Sequence, residues 1–211
     1  MLQSKAMQGI SKRNMIEFSL SKNKEKILPT ALKAEGRIFH INADFRNILK
    51  IFRAYADPEI PDNHKASLAL RWFFTNDMPA KDIAMQLLAD FLGIEERHEE
   101  TNIPQQMDYE FDAGEIYASF LQEYAIDLLE IEFLHWYKFR ILLASLGADT
   151  ALGRKISLRN LDTKQCKDRA KAERAKAEVQ IPQKISVTEY NAHKRLEEIL
   201  LHGGDPREIL R

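Results

Sequence analysis

The sequence predicts an all-α protein, mainly a helical bundle, with a small β-hairpin near its N-terminus. Leu and Ala together supply 46 residues whereas Val and Thr supply 8, and side chains without β-branching lose little rotamer freedom in a helix. Gly and Pro together number 15 of 211 residues, so few tight turns are available. A composition of 45% hydrophobic and 30% charged residues is typical of a globular protein and argues against a disordered chain.

Composition divides the chain into four stretches. Residues 1–26 are Lys-rich with weak periodicity, and we expect a mobile basic arm there. Residues 27–161 form the predicted helical core domain, with the hairpin at its N-terminal side. Residues 162–182 have strong helix formers but no apolar stripe, which predicts a projecting charged helix. Residues 183–211 are predicted to be a C-terminal amphipathic extension.

Two short apolar runs around Gly36 predict the hairpin. After it the apolar period changes to about 3.6, which predicts three amphipathic helices within residues 42–93. Asn42 or Asp44 can cap the first helix, which Asp57-Pro58 ends. Pro79 suits the first position of the third helix, and Gly93 ends it. The predicted inward-facing residues are Phe45, Ile48, Leu49, Phe52, Ala66, Ala69, Leu70, Phe73, Ile83, Ala84, Leu87, Leu88 and Phe91.

The second half of the core begins with an acidic loop over residues 94–111. Asp112 and Glu115 then have the spacing of a capping box, in which each side chain satisfies a free amide of the first helical turn. Residues 128–146 have apolar side chains on nearly every face, as expected of a helix that is central in a core or shared between subunits. Gly147 ends this helix, and a further helical segment follows.

Charge is distributed unevenly although the net charge is only −1. Residues 95–132 carry twelve acidic and one basic side chain, while residues 164–178 carry six basic and three acidic ones. We therefore expect a homo-oligomer in which the charged helix of one subunit docks against the acidic segment of the next. The acidic residues in this helix and its lack of aromatics do not favour nucleic acid as a partner. The predicted self-association residues are Lys171, Arg174 and Lys176.

The sequence contains no recognisable catalytic motif. A Gly-rich phosphate loop, a nucleophile elbow and zinc-finger spacing are all missing, so we expect a non-enzymatic protein without cofactor, catalytic residues or metal. Glu132 and His135 have the Glu-x-x-His spacing of a helical metal site, and Glu95 and His98 repeat it. A di-iron bundle needs two such pairs and two more inward Glu residues. A metal-dependent helical-bundle enzyme that uses Glu132 and His135 remains one functional alternative.

Two observations bear on location. Cys166 is the single cysteine and cannot form an intrachain disulfide, and the N-terminus lacks a basic-then-apolar signal segment. The apolar stretch at 128–146 is interrupted by charged residues and falls short of a membrane span. We expect a protein of a reducing cytoplasm with no membrane partner.

Aromatic residues are concentrated between residues 109 and 139. Such spacing is usual for core packing, and an exposed groove that binds a partner helix is the alternative. On that alternative, the predicted partner-binding residues are Tyr117, Phe120, Tyr124 and Tyr137.

Five stretches form a recognisable combination. In chain order they are Leu28-Pro-Thr, Ile41-Asn-Ala-Asp-Phe-Arg46, Glu115-Ile-Tyr-Ala-Ser-Phe-Leu-Gln-Glu-Tyr-Ala-Ile-Asp127, Phe133-Leu-His-Trp-Tyr-Lys-Phe139 and Ile156-Ser-Leu-Arg159. Together they resemble a family of bacteriophage proteins named after gene product fifteen, over about residues 27–178. The residues before 27 and the segment 183–211 fall outside the resemblance.

The resemblance implies a phage or prophage tail assembly chaperone of the host bacterial cytoplasm. Such proteins are similar in being helical, non-enzymatic and self-associating, and they keep the tape measure protein soluble while the tail tube polymerises around it. The tape measure protein is then the expected partner, with the tail tube protein as a second candidate. The alternative is a structural tail or head-tail component that stays in the virion.

Overall fold

The computed structural model describes residues 27–93 and 106–182, together with Ser21, Asn23 and Arg195. Several predictions fall wholly or largely on the remaining residues and lie outside the described chain. They concern the basic arm, the C-terminal extension, the second Glu-x-x-His pair and most of the acidic loop over residues 94–111.

The described residues contain one β-hairpin, seven α-helices and one short 3-10 helix, which confirms the predicted fold class. The hairpin comes first, and the helices follow it to the end of the described core. The elements are β1 (Ala31–Ala34), β2 (Arg37–His40), α1 (Phe45–Ala56), α2 (Asp62–Phe73), α3 (Lys81–Leu92), α4 (Ala113–Tyr124), α5 (Trp136–Ala144), α6 (Ala151–Arg159), a 3-10 helix (Thr163–Gln165) and α7 (Arg169–Glu178).

The hairpin turns at Glu35 and Gly36, which both have a positive φ, of 50° and 73°. Two such residues make the turn whose twist matches that of the antiparallel strands. Phe39 of β2 is almost fully buried, and beyond this strand the amide of Asn42 donates to the carbonyl of Phe73, 2.7 Å away. The hairpin is therefore fixed to the end of α2.

Helix α1 begins and ends where the sequence predicts. The Asp44 carboxylate accepts a hydrogen bond from the Arg46 amide at 3.0 Å, which satisfies one free donor of the first turn. Asp57, which precedes Pro58, is the C-cap. The buried face of α1 carries Phe45, Ile48, Ile51, Phe52 and Ala54 and packs against α2.

Helix α3 also packs against α2. The sequence predicts Pro79 as its first residue, but the helix begins at Lys81 with Ala80 as N-cap. Its C-cap, Gly93, has φ 68°, the left-handed conformation that glycine adopts without steric cost. Its buried residues are Ala84, Leu88, Phe91 and Leu92.

The prediction of a helix over residues 128–146 is wrong at its N-terminal end, because α5 begins only at Trp136. The Asp127 carboxylate accepts hydrogen bonds from the amides of Leu129 at 2.9 Å and Glu130 at 3.3 Å. These bonds form a turn that competes with the helix. Residues 128–135 therefore leave the helical path.

Residues 134–136 instead pair with the chain just before α1. The Phe45 amide donates to the Leu134 carbonyl at 2.9 Å, and the Trp136 amide donates to the Ala43 carbonyl at 2.7 Å. The partners are about 90 residues apart along the chain, so local spacing could not predict this pairing. It joins the start of α1 to the start of α5.

Helix α7 lies against the end of α6 instead of projecting from the body. The Lys176 ammonium donates to the Leu161 carbonyl at 2.8 Å, and the Arg159 guanidinium donates to the Val179 carbonyl at 2.5 Å. Ala172 and Ala175 are partly buried on the same side of α7. The helix was predicted to project because it has no apolar stripe. Small alanine side chains nevertheless allow close approach to the body without such a stripe.

The core is rich in aromatic side chains from α1, α4 and α5. Phe139 stacks on Phe45 with ring centroids 4.6 Å apart and on Phe120 at 5.2 Å. Trp136 meets Phe52 edge-on at 5.6 Å. Among the helices that the structure describes, none has the length and apolar character needed to cross a membrane.

Candidate partner-binding surface

The four predicted partner-binding residues separate into two pairs. Phe120 is fully buried, and Tyr137, also buried, donates its hydroxyl proton to the Phe91 carbonyl at 2.9 Å. These two side chains belong to the core, which corrects the prediction that all four line one surface. Tyr117 and Tyr124 remain partly exposed on α4.

The hydroxyl groups of both exposed tyrosines are held by neighbouring segments. The Tyr117 hydroxyl donates to the Asp127 carboxylate at 3.1 Å, and the Tyr124 hydroxyl donates to the Leu142 carbonyl at 2.8 Å. Leu121 lies between them at the i, i+4, i+7 spacing that places three side chains on one helix face. This face of α4 is therefore fixed in position before any partner arrives.

Two exposed leucines extend this face. Leu121 is 46% exposed and Leu129, in the turn after α4, is 75% exposed. The Leu129 amide and the Tyr117 hydroxyl both bind the Asp127 carboxylate, so the turn places Leu129 beside α4. We call Tyr117, Leu121, Tyr124 and Leu129 the apolar patch.

The sequence prediction missed both leucines as candidate surface residues. Leu121 has the helical spacing of the two tyrosines, and that spacing could have identified it. Leu129 gave no such signal, because it fell inside a stretch predicted to be helical.

Three carboxylates border the apolar patch. The pKa of Tyr117 is raised first by its hydrogen bond to Asp127 and further by the nearby negative charge of Glu130. Burial, and then the charge of Glu123, raises the pKa of Tyr124. Within residues 27–93 and 106–182, none of these three carboxylates forms an ion pair. The patch is therefore apolar with a negative border.

A separate charged cluster lies at the start of α4. Asp112 is fully buried, and the Arg159 guanidinium binds both of its carboxylate oxygens, at 2.6 and 2.8 Å. Lys155 bridges Asp112 and Glu115 at 2.9 Å each. Burial alone would raise the pKa of Asp112, but its hydrogen bonds, first of all to Arg159, hold this pKa below 3.8. The cluster is a closed ion network that stabilises the fold.

This network corrects the predicted capping box. Asp112 occupies the N-cap position of α4, yet its side chain accepts no hydrogen bond from the first turn of that helix. It binds Arg159 and the Asp108 amide instead, the latter at 2.9 Å. A buried guanidinium therefore displaces the helix amides as the partner of this carboxylate.

The predicted self-association residues do not share one face of α7. Lys171 and Arg174 are exposed and three positions apart, as on one side of a helix. Lys176 is partly buried, and its ammonium group is bound to the Leu161 carbonyl. Only the first two are available for contacts with another subunit.

Glu132 and His135, the pair on which the metal-enzyme alternative depends, do not form a helical chelate. Glu132 is exposed in the turn before α5, whereas His135 is buried and is the N-cap of that helix. The His135 Nδ1 accepts from the Tyr137 amide at 3.1 Å, so its Nε2 carries the proton and donates to the Pro29 carbonyl, also at 3.1 Å. Burial lowers the pKa of His135. The described residues contain no group of three or more His, Cys, Asp or Glu side chains placed to hold a metal ion.

Comparison with known proteins gives one match. The model of the family described as bacteriophage Gp15 protein matches residues 24–181, a range that includes every strand and helix from β1 to α7. No curated protein and no solved structure matches the chain significantly. The family match covers well over half of the chain. The chain therefore belongs to the bacteriophage Gp15 protein family.

Proposed function

We propose that this protein is a phage tail assembly chaperone, which binds the tape measure protein in the host cytoplasm and keeps it soluble during tail tube polymerisation. The observation that carries the proposal is the family match over residues 24–181. A chaperone for a long helical client needs apolar contact area and many weak contacts, and it needs no catalytic constellation. The proposed role is accordingly non-enzymatic.

The apolar patch supports this proposal because it provides such contact area on a rigid element. Leu129 is 75% exposed and Leu121 46%, although both side chains are large and apolar. Exposed apolar side chains grouped on one face often mark a protein-binding site. The tyrosines beside them belong to the residue types in which binding energy tends to concentrate.

Coexpression tests the proposal directly. The tape measure protein of the same phage or prophage is expressed alone, with this protein, or with an unrelated helical protein of similar size. We expect the client to be soluble only with this protein, and we expect the two to copurify. A client that stays insoluble with this protein, or that is equally soluble with the unrelated helix bundle, would remove the chaperone proposal.

We also propose that the chain self-associates through the exposed basic face of α7 and the acidic segment of a neighbouring copy. Reversal of Lys171 and Arg174 to Glu should lower the oligomer mass measured by light scattering at physiological salt. Lys176 is left unchanged because its ammonium group holds the Leu161 carbonyl within the subunit. Arg71 and Lys81, exposed on other helices, are the matched control pair for charge reversal. An oligomer mass that is the same in all three proteins would exclude this contact.

Membership of this phage family also supports a broader alternative, that the protein is a structural or head-tail component of the phage. It differs from a chaperone in one measurable respect, since a structural part stays in the finished particle. Mass spectrometry of purified virions should detect tail proteins but not this chain if it is a chaperone. Stoichiometric amounts in the virion would favour the structural role.

A further inference from the structure

We infer that the apolar patch and its three bordering carboxylates bind an amphipathic helix whose apolar stripe is flanked by Lys and Arg. This inference rests on the proposed function and deepens it, because it states which surface binds the client and which kind of client segment that surface selects. The second copy of this chain and an uncharged apolar segment are the competing occupants.

The apolar part of the surface has the dimensions of a helix contact. Tyr117 and Tyr124 are seven residues apart on α4, which corresponds to about 10 Å, or two turns of a partner helix. Leu121 lies between them, and Leu129 widens the surface on the side of the following turn. An apolar stripe with i, i+3, i+4, i+7 spacing on a partner covers such an area.

The backbone at this surface favours a helical partner over an extended strand. Tyr117, Leu121 and Tyr124 lie within α4, whose amides and carbonyls bond within the helix. An added strand needs a free sheet edge with unpaired backbone groups, and this face has none. Recognition here must therefore come from side chains.

The charge of the border selects a basic partner. Glu123, Asp127 and Glu130 form no ion pair within the described chain, so their charge is available to a partner. Hydrogen bonds, first of all from the Leu129 amide, lower the pKa of Asp127 and keep it ionised. Such a border increases the rate of association with cations and disfavours acidic segments.

Helix α7 of a second copy is a poorer occupant than a client helix. Its exposed face presents Lys171 and Arg174 together with alanines, and no residue of α7 is a large apolar one. Such a helix could meet the carboxylates but would leave Leu121 and Leu129 uncovered. The occupant must supply both apolar side chains and positive charge.

The experiment uses the full-length protein and two synthetic helices of about 20 residues, long enough to cover the patch. Both peptides carry the same Leu stripe, which is flanked by Lys in one and by Glu in the other. Binding is measured by fluorescence anisotropy at low and high salt. The Lys peptide should bind the parent with an affinity that falls as salt rises, and the Glu peptide should bind at least about tenfold more weakly.

Two double variants separate the apolar and charged contributions. Leu121→Gln/Leu129→Gln should weaken binding of the Lys peptide by about tenfold or more, because a few buried anchors dominate such interfaces. Glu123→Gln/Glu130→Gln should weaken it several-fold and remove most of the salt dependence. The leucines are chosen because Tyr117 also holds the turn through Asp127.

Matched controls exchange the same residue types elsewhere on the surface. Ile38→Gln/Met78→Gln removes two exposed apolar side chains of similar exposure, at 59% and 49%, and Glu35→Gln/Glu178→Gln removes two exposed carboxylates. Neither control should change the peptide affinity. Equal binding of the Lys and Glu peptides, or equal losses in controls and patch variants, would overturn the inference.

Two further outcomes separate this inference from the proposed function. If the leucine double variant keeps the tape measure protein soluble as well as the parent does, the surface assignment fails while the chaperone proposal stands. If the parent itself fails to keep the client soluble, the chaperone proposal fails whatever the peptides do. A leucine variant that lowers the oligomer mass would assign the patch to a second copy and overturn the inference.

Discussion

Asp44 and Asp112 both immediately precede a helix, but their carboxylates have different partners. The Asp44 carboxylate caps α1 through the Arg46 amide at 3.0 Å, accepts from the distant Leu134 amide at 3.1 Å and pairs with the Arg46 guanidinium at 2.9 and 3.1 Å. The Asp112 carboxylate accepts nothing from α4 and forms a two-pronged ion pair with Arg159. The Asp44 carboxylate thus joins two backbone segments and pairs with an arginine that stays partly exposed, whereas the Asp112 carboxylate neutralises an arginine that folding has buried.

The difference shows how burial of a partner decides the role of a capping residue. A carboxylate can accept about four hydrogen bonds, and a buried donor left without an acceptor costs more free energy than an exposed one, which water can satisfy. The Arg159 side chain is 3% exposed, whereas the Arg46 side chain beside Asp44 is 42% exposed. Loss of the Arg159 charge should therefore cost more than loss of the Asp44 cap.

The largest expected effect comes from Arg159→Met. This change leaves buried Asp112 with Lys155 and the Asp108 amide as its remaining partners, and it removes the hydrogen bonds to the carbonyls of Gln106 and Val179. We expect the free energy of unfolding, measured in urea, to fall by about 3 to 5 kcal/mol, as when one partner of a buried ion pair is removed.

The control for this change is Arg154→Met, an exposed arginine on the same helix. It should change the free energy of unfolding by no more than about 0.5 kcal/mol. Similar losses in the two variants would mean that the Asp112 network contributes no more than a surface charge does.

Asp44→Ala is expected to cost less, about 2 to 3 kcal/mol. The change removes the cap of α1 and leaves the Leu134 amide without its acceptor. Asp44→Asn retains an acceptor oxygen and should lose only part of this stability in the same urea measurement. If Asn and Ala are equally destabilising, the charge of Asp44 matters more than its geometry.

The fold could be predicted from sequence wherever neighbours along the chain decide the structure. Spacing gave α1, the cap at Asp44, the end of α3 at Gly93 and the turn at Gly36, because caps, glycines and amphipathic faces act over one or two turns. The start of α5 could not be predicted in this way. It depends on the hydrogen bonds from the Trp136 amide to the Ala43 carbonyl and from the Phe45 amide to the Leu134 carbonyl, which local spacing does not reveal.

The candidate site could be predicted only in part, for the same reason. Aromatic density indicated the region, but Phe120 is buried in the core and Tyr117 stays partly exposed, a difference set by the segments packed around α4. Leu129 became part of the surface only through the Asp127 turn. The Asp112–Arg159 pair joins residues 47 positions apart, so Asp112 looked like an ordinary cap.

Ser119 extends the comparison to a polar group without charge. Its buried hydroxyl donates to the Glu115 carbonyl at 2.6 Å and accepts from the Leu152 amide at 3.0 Å, so a side chain of α4 satisfies the first turn of α6. Ser119→Ala leaves that amide without an acceptor and should cost about 1 to 2 kcal/mol of unfolding free energy in urea. Ala118→Ser, at an exposed position of the same helix, is the control and should change it little. A loss no greater than the control's would mean that another acceptor replaces the hydroxyl.

The smallest expected effect is a dependence on pH that tests whether Asp44 acts as a charge. Burial alone would raise the pKa of Asp44, but hydrogen bonds from Arg46 and from the Leu134 amide outweigh it and hold this pKa below 3.8. A carboxyl whose pKa is depressed by folding stabilises the protein above its unfolded pKa, and this contribution is lost as the pH falls through the folded value.

The free-energy difference between the parent and Asp44→Asn should therefore shrink as the pH is lowered from about 6 to about 3, because a protonated Asp resembles Asn. Burial lowers the pKa of His135, so this residue also makes the protein less stable as the pH falls. Both proteins contain His135, and its effect therefore cancels in the free-energy difference. Urea unfolding of the two proteins at several pH values measures the difference. If this free-energy difference stays constant down to about pH 3, Asp44 acts through hydrogen-bond geometry alone, unlike Asp112, whose carboxylate neutralises a buried arginine.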